Sequence, residues 1–219
     1  MKFLKVEKMD LLIAVYMFCI AAAEMMGAKS FPFIKVFGYQ FNSSVGILNL
    51  PLIYTINDVI IEVHGIERAK SIVRSGLLVV LLIFLFSVIA TSLPPSYRFK
   101  MHESAYREIF TLSARISAAS LIAFIVSEAT DLFVFVKLRK KLGKKNLWLR
   151  NNVSNFASEF MDTVVFMSLA FYALDKSFDS NLIFLWSLIL PYWAVKCFMS
   201  VIETPFVYLG VSWLKGSRK

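Results

Sequence analysis

The chain has 219 residues, 58% of them hydrophobic, and carries a formal net charge of +9. A mean hydropathy of +0.67 excludes an ordinary water-soluble domain. Apolar runs of bilayer-spanning length use up most of the sequence and leave no room for a soluble catalytic domain.

Six spans are expected, at about 10–28, 48–66, 72–93, 112–137, 151–174 and 182–214, forming an all-α integral membrane protein with one transmembrane domain over 1–219. The first span is not read as a secretory signal, because no small-residue cleavage site follows it and Glu24 interrupts its far end. Between spans one and two, Phe31 to Gly46 is too long for a simple turn. It holds β-formers, Gly38 and Asn42-Ser43-Ser44, so a short hairpin or a plug on the outer face is expected there. Pro94-Pro95 ends span three. The linker Tyr97–Phe110, with His102, Glu103 and Glu108, reads as a short interfacial helix. The dense basic run Arg139–Lys145 follows span four and suits anionic headgroups. It lacks an aromatic stacking platform, so nucleic acid is not an expected partner. Span six is over-long and contains Pro191 and Pro205, which predicts a kink. Trp148, Trp193, Trp213, Tyr97 and Tyr208 fall near the expected interfaces.

Charge sets the orientation. With the N-terminus inside, sixteen of the 24 basic residues lie on the cytoplasmic side. That set includes Lys2, Lys5, Lys144, Lys145, Arg218 and Lys219. Six lie opposite, namely Lys29, Lys35, Arg98, Lys100, Arg107 and Lys176, while Arg115 and Lys196 fall within spans. Both termini are therefore expected to be cytoplasmic, in a multi-pass protein of the cell membrane. Cys19 and Cys197 lie inside spans, so neither a disulfide scaffold nor a thiolate metal site is expected.

Polar residues inside these spans carry the functional signal. Eight acids, Glu24, Asp58, Glu62, Glu128, Asp131, Glu159, Asp162 and Glu203, face only Arg115 and Lys196. An ionised side chain at the bilayer centre costs about 2.5–3.5 kcal/mol or more, so each needs a reason. Helical spacing groups them. Span two carries Asn57, Asp58 and Glu62; span four carries Glu128 and Asp131; span five carries Asn155, Glu159 and Asp162 as one stripe. Span six adds Lys196, Met199, Ser200 and Glu203 along one side. One cavity between these four spans is expected, with a donor-bearing polar heterocycle as its ligand, since carboxylates accept and Asn side chains also donate. Phe135, Phe166, Tyr54 and Trp193 are candidate stacking surfaces. Two stretches, Ser127–Phe135 and Ser158–Phe166, share the word Ser-Glu-x-x-Asp-x-x-Val-Phe and run in opposite directions, as inverted repeats of secondary transporters do.

These words also carry a resemblance. They are Pro51–Gly65 with Arg68-Ala69, Ala114-Arg115-Ile116, Asp131–Phe135, Asn155–Thr163, Lys196, Glu203-Thr204-Pro205 and Tyr208. In this order and spacing the chain resembles the queuosine precursor transporter family, also called the vitamin uptake transporter family, from Pro51 onward. The resemblance implies a six-helix carrier importing 7-deazaguanine bases, the cyano and aminomethyl precursors or queuine, for tRNA modification. It adds Arg68 to Arg115, Phe135, Phe166 and Glu203 as supporting residues. The family often has Gln where this chain has Glu128 and Glu159, so acceptor-only carboxylates stand here in place of amides that also donate. Glu159 or Asp162 is the expected acceptor for the paired ring N–H and amine of the base.

Other classes fit less well. A membrane enzyme lacks support: there is no Gly-x-Gly-Asp, His-Glu-x-x-His, Gly-x-Ser-x-Gly or phosphate loop, and His64 and His102 are isolated. A capture subunit working with a separate ATP-driven module is the remaining alternative. No metal or cofactor is expected. A proton is the candidate coupling ion, and a homo-oligomer is a candidate assembly.

Overall fold

The computed structural model describes residues 6–142 and 147–216, without the side chains of residues 142, 147, 148, 150, 151, 200 and 201. Lys2, Lys5, Lys144, Lys145, Arg218 and Lys219 of the charge count lie outside the described residues, as do the side chains of Trp148, Arg150 and Ser200.

The element order is α1 (Lys8–Met26), β1 (Ser30–Val36), β2 (Tyr39–Ser44), a 3-10 turn (Val45–Asn49), α2 (Leu50–His64), α3 (Ile66–Ser92), α4 (Glu103–Leu142), α5 (Leu147–Phe171), α6 (Phe178–Ile202) and α7 (Thr204–Lys215). Among the described residues, five stretches are long and apolar enough to cross a membrane: Lys8–Met26, Val45–His64, Ile66–Ser92, Glu103–Lys141 and Phe178–Met199. The 25-residue α5 has the length, but its polar stripe sets it apart from those five. Large apolar side chains face outward along these helices, as on α3, where Leu78, Leu82, Leu85, Phe86 and Ile89 are exposed. In water such a surface would aggregate; against lipid it is the stable face. The protein is an all-α membrane protein.

Strands β1 and β2 pair antiparallel, with Val36 opposite Tyr39 and Ser30 opposite Ser44. Phe37 and Gly38 turn the chain between them at φ +47° and +84°. Two successive positive φ values give the turn whose twist matches the strands, and glycine makes the second one inexpensive. The hairpin is tied to α6: the Tyr39 hydroxyl donates to the Ile183 carbonyl at 2.8 Å and Asn42 Nδ2 donates to Ser187 Oγ at 2.9 Å.

Two expectations are corrected. No separate interfacial helix occupies 97–110; residues 97–102 form turns and α4 then runs unbroken for 40 residues from Glu103. That stretch contains neither Pro nor Gly, so nothing stops the helix. The expected single kinked span six is instead two helices, α6 and α7, divided at Glu203. Pro205 sits in the first turn of α7, where its missing N–H is harmless, while Pro191 lies within α6 without ending it.

Packing closes around small residues. A Cβ on Gly76 of α3 would lie 2.6 Å from Ile20 Cδ1 of α1, and one on Gly210 of α7 would lie 2.6 Å from Val59 Cγ2 of α2. Val59 is only 1% exposed and has no room to yield. Gly210→Ala should therefore lower stability by about 1–3 kcal/mol through overpacking. Thermal unfolding of the purified variant in detergent measures this; an unchanged midpoint would show that α7 can move away from α2.

Candidate functional site

The α4–α5 pair is antiparallel and is the most extensive helix–helix contact in the described structure. Ser127 Oγ of α4 donates to the Ser158 carbonyl of α5 at 3.2 Å, so the two copies of the repeated word meet at their first residues. Further along, Arg115 donates to the carbonyls of Leu169 at 2.7 Å and Tyr172 at 2.6 Å. Arg115 thus satisfies carbonyls left free at the end of α5. The structure gives it this tie and no place in the cavities described below.

A cavity of about 410 Å³ is lined by Tyr54 of α2, Phe124, Ser127, Glu128 and Asp131 of α4, Asn155, Ser158, Glu159 and Asp162 of α5, and Lys196 of α6. Six of the nine residues expected to bind are therefore together: Glu128, Asp131, Asn155, Glu159, Asp162 and Lys196. Lys196 is the hub. Its side chain is 8% exposed, with Nζ 2.5 Å from Asp162 Oδ2 and 3.1 Å from Glu159 Oε2. The Tyr54 hydroxyl donates to Glu159 Oε1 at 3.2 Å. Glu159 and Asp162, three apart on one face of α5, give the single ammonium two carboxylate partners, and α2 supplies the hydroxyl. On the opposite wall Asp131 Oδ1 is buried without a hydrogen-bond partner.

The expected single cavity is corrected for α2. Asp58 and Glu62 do not line the Lys196 cavity but a separate one of about 440 Å³ beside α7, with Glu203, Thr204 and Tyr208. Tyr54 and Asp58 share a face of α2 one turn apart, but Tyr54 lies level with Lys196 of α6 while Asp58 and Glu62, further along the helix, lie beside α7. Glu62 approaches Lys215 at 3.9 Å. Asn57 is half-buried and Arg68 exposed, and neither lines these cavities. Of the candidate stacking rings only Tyr54 reaches the Lys196 cavity. Phe166 lines a neighbouring cavity, Trp193 packs edge-on against Phe156 at 6.1 Å and Phe160 at 5.3 Å, and Phe135 lines neither. Phe124 is the ring that sequence reasoning missed. A lone Phe in an apolar helix gives no signal.

A bundle of membrane-length helices, apolar outside and enclosing a polar cavity, suits a membrane transporter, and the family the chain matches is one of transporters and not of enzymes. Residues 44–210 match the family described as "Putative vitamin uptake transporter", and the chain belongs to that vitamin uptake transporter family. It is similar to the "Probable queuosine precursor transporter" of Bacillus subtilis, 27% identical over 177 residues that cover 80% of this chain and 73% of that one. It is also similar to the protein of that name in Haemophilus influenzae (30% identical, 61% and 54% covered) and to the "Queuosine precursor transporter" of Escherichia coli (26%, 63% and 59%). The aligned part thus spans little more than half of the last two relatives. No solved structure matches the chain.

The hub has a testable energetic signature. Lys196→Met leaves Asp162 and Glu159 facing each other without a cation, which should cost about 3–5 kcal/mol. Adding Asp162→Asn to that variant should recover part of the loss. A double-mutant cycle on thermal stability measures the coupling; independent, additive effects would mean the ion pair does not hold the helices.

Proposed function

We propose that the chain imports a 7-deazaguanine queuosine precursor, the cyano or aminomethyl base or queuine, across the cell membrane for tRNA modification, as a single transmembrane transporter domain over 1–219. The single observation carrying this reading is the Lys196 cavity. It combines one buried ammonium, several carboxylates and the Asn155 amide in a volume typical of small-molecule sites, ~300–1,000 Å³. The names of the three relatives point the same way. A guanine-like edge presents a carbonyl beside a ring N–H and an exocyclic amine. Lys196 suits the carbonyl, and a carboxylate accepts both donors with two parallel hydrogen bonds. Because Lys196 engages Asp162 and Glu159, the open acceptor is Asp131, whose Oδ1 has no partner. Asp162 and Glu159 then read the base indirectly, by placing the ammonium. Tyr54 and Phe124 offer flat faces for the ring.

In this reading α5 completes a set of six spans beside the five apolar stretches, because its polar stripe faces the cavity and not lipid. Both termini lie in the cytoplasm, and a proton is the coupling ion.

Two measurements test the proposal. Purified protein should be stabilised against heat by deazaguanine bases, and Asp131→Asn, which turns an acceptor into a donor facing donors, should weaken binding roughly 10- to 100-fold, the equivalent of one charge-assisted bond of about 1.5–3 kcal/mol. Asp162→Asn should weaken binding as well and also lower stability. A panel of deazaguanines that leaves the parent unshifted would overturn the ligand; binding without uptake by the protein expressed alone would favour a capture subunit. For the topology, cysteines placed at 139–141 should be labelled only after the membrane is opened, and labelling from outside intact cells would reverse it.

A further inference from the structure

A second cavity adjoins the Lys196 site. It measures about 290 Å³ and shares Phe124, Asp162 and Lys196 with it. Along α4 and α5 the first cavity runs from these shared residues toward Asp131 and Asn155, while the second runs the other way, toward Ile116, Phe166 and the Gly27 end of α1. The ion pair is thus a partition between two chambers stacked along the helices. The second chamber holds one acid of its own, Glu24 of α1.

Glu24 is 7% exposed, and its Oε2 has no hydrogen-bond partner. Its neighbours from the packed helices are few. The titratable groups on the same wall are Tyr16 of α1, Asp162 of α5 and Tyr192 and Lys196 of α6, and α2 and α3 contribute only apolar side chains and glycine. Among the described residues Lys196 is the only cation lining the chamber, and Asp162 and Glu159 already hold it; no ion pair reaches Glu24. The Ser120 hydroxyl of α4 stands beside the carboxyl. A hydroxyl can donate to a carboxylate or accept from a carboxylic acid, so it serves both forms. An ionised carboxylate enclosed here would have only the hydroxyls of Ser120 and Ser117 beside it and no cation to pair with, and a buried charge without such a partner is costly.

We propose that Glu24 is the proton-binding site of this carrier: it takes up a proton while its chamber is open to water and must keep that proton for the chamber to close around it. This deepens the proton-coupled import proposed above by naming the residue, and it rests on that reading for its transport arm only. The base and the proton then occupy opposite sides of the Lys196–Asp162 partition. Each is held by an acid the other does not touch.

Infrared difference spectroscopy of the reconstituted parent against Glu24→Gln should show a protonated-carboxyl C=O band that belongs to Glu24 and bleaches as the pH is raised. This arm needs no substrate and decides the proton site even if no deazaguanine binds. In vesicles, Glu24→Gln should still bind the base and exchange labelled for unlabelled base, but an inward proton gradient should no longer drive accumulation above the external level. Glu24→Asp should restore gradient-driven accumulation, and where Glu24→Gln fails to fold, it must shift the carboxyl band instead. Absence of a Glu24 acid band, parent-like accumulation by Glu24→Gln, or loss of base binding in that variant would each overturn the proposal.

Discussion

Placing one ammonium inside a membrane protein is the constraint around which this structure is organised. Lys196 sits almost fully buried on α6, and two carboxylates of α5 stand within 3.1 Å of it. Taking the charges out of water is costly, and only close partners compensate for it. Those partners must come from a second helix, one turn apart on a single face, and their outer oxygens need donors, one of which Tyr54 provides from α2. Three helices are thereby fixed in rotation as well as in position. The antiparallel α4–α5 pair then lays Glu128 and Asp131 on the facing wall, because the repeated word on each helix begins at the Ser127–Ser158 contact.

The arrangement separates the tasks of the intramembrane acids. Glu159 and Asp162 balance a fixed cation. Asp131 keeps an open oxygen, Glu24 stands in a chamber with no cation of its own, and Asp58, Glu62 and Glu203 line a third space beside α7. A count of eight acids against two bases does not reveal this division. The two bases are not even equivalent, since Arg115 ties off the end of α5 while Lys196 builds the cavity.

Much of the site was legible in the sequence. Polar residues three, four and seven apart in an apolar helix must share a face, and burial forces that face inward; Asn155, Glu159, Asp162, Glu128 and Asp131 follow from this alone. Which neighbour packs beside each turn of α2 was not legible. Asp58 lies one turn from Tyr54, yet which wall it joins depends on the close approach of α7 at Gly210, a contact between segments about 150 residues apart in the chain. The span count rested on hydropathy, which recovers five apolar stretches, while α5 with its polar stripe is not among them. The two prolines were not distinguishable by local chemistry: Pro191 lies inside α6 without ending it, whereas Pro205 stands at the start of α7, beside the break at Glu203.

The length of α4 has a consequence for the lipid around it. Forty residues make a rod of about 60 Å, roughly twice the hydrocarbon thickness, and no proline or glycine interrupts it. Such a rod must project beyond the bilayer, and its last turn carries Arg139, Lys140 and Lys141 at headgroup depth or beyond. Each basic side chain near an anionic surface is attracted by about 1 kcal/mol. Tilting α4 moves those charges through the steepest part of the surface potential while swinging the wall that bears Asp131. The basic end of α4 and the wall that bears Asp131 belong to one uninterrupted helix, so a tilt that suits the headgroups also moves that wall.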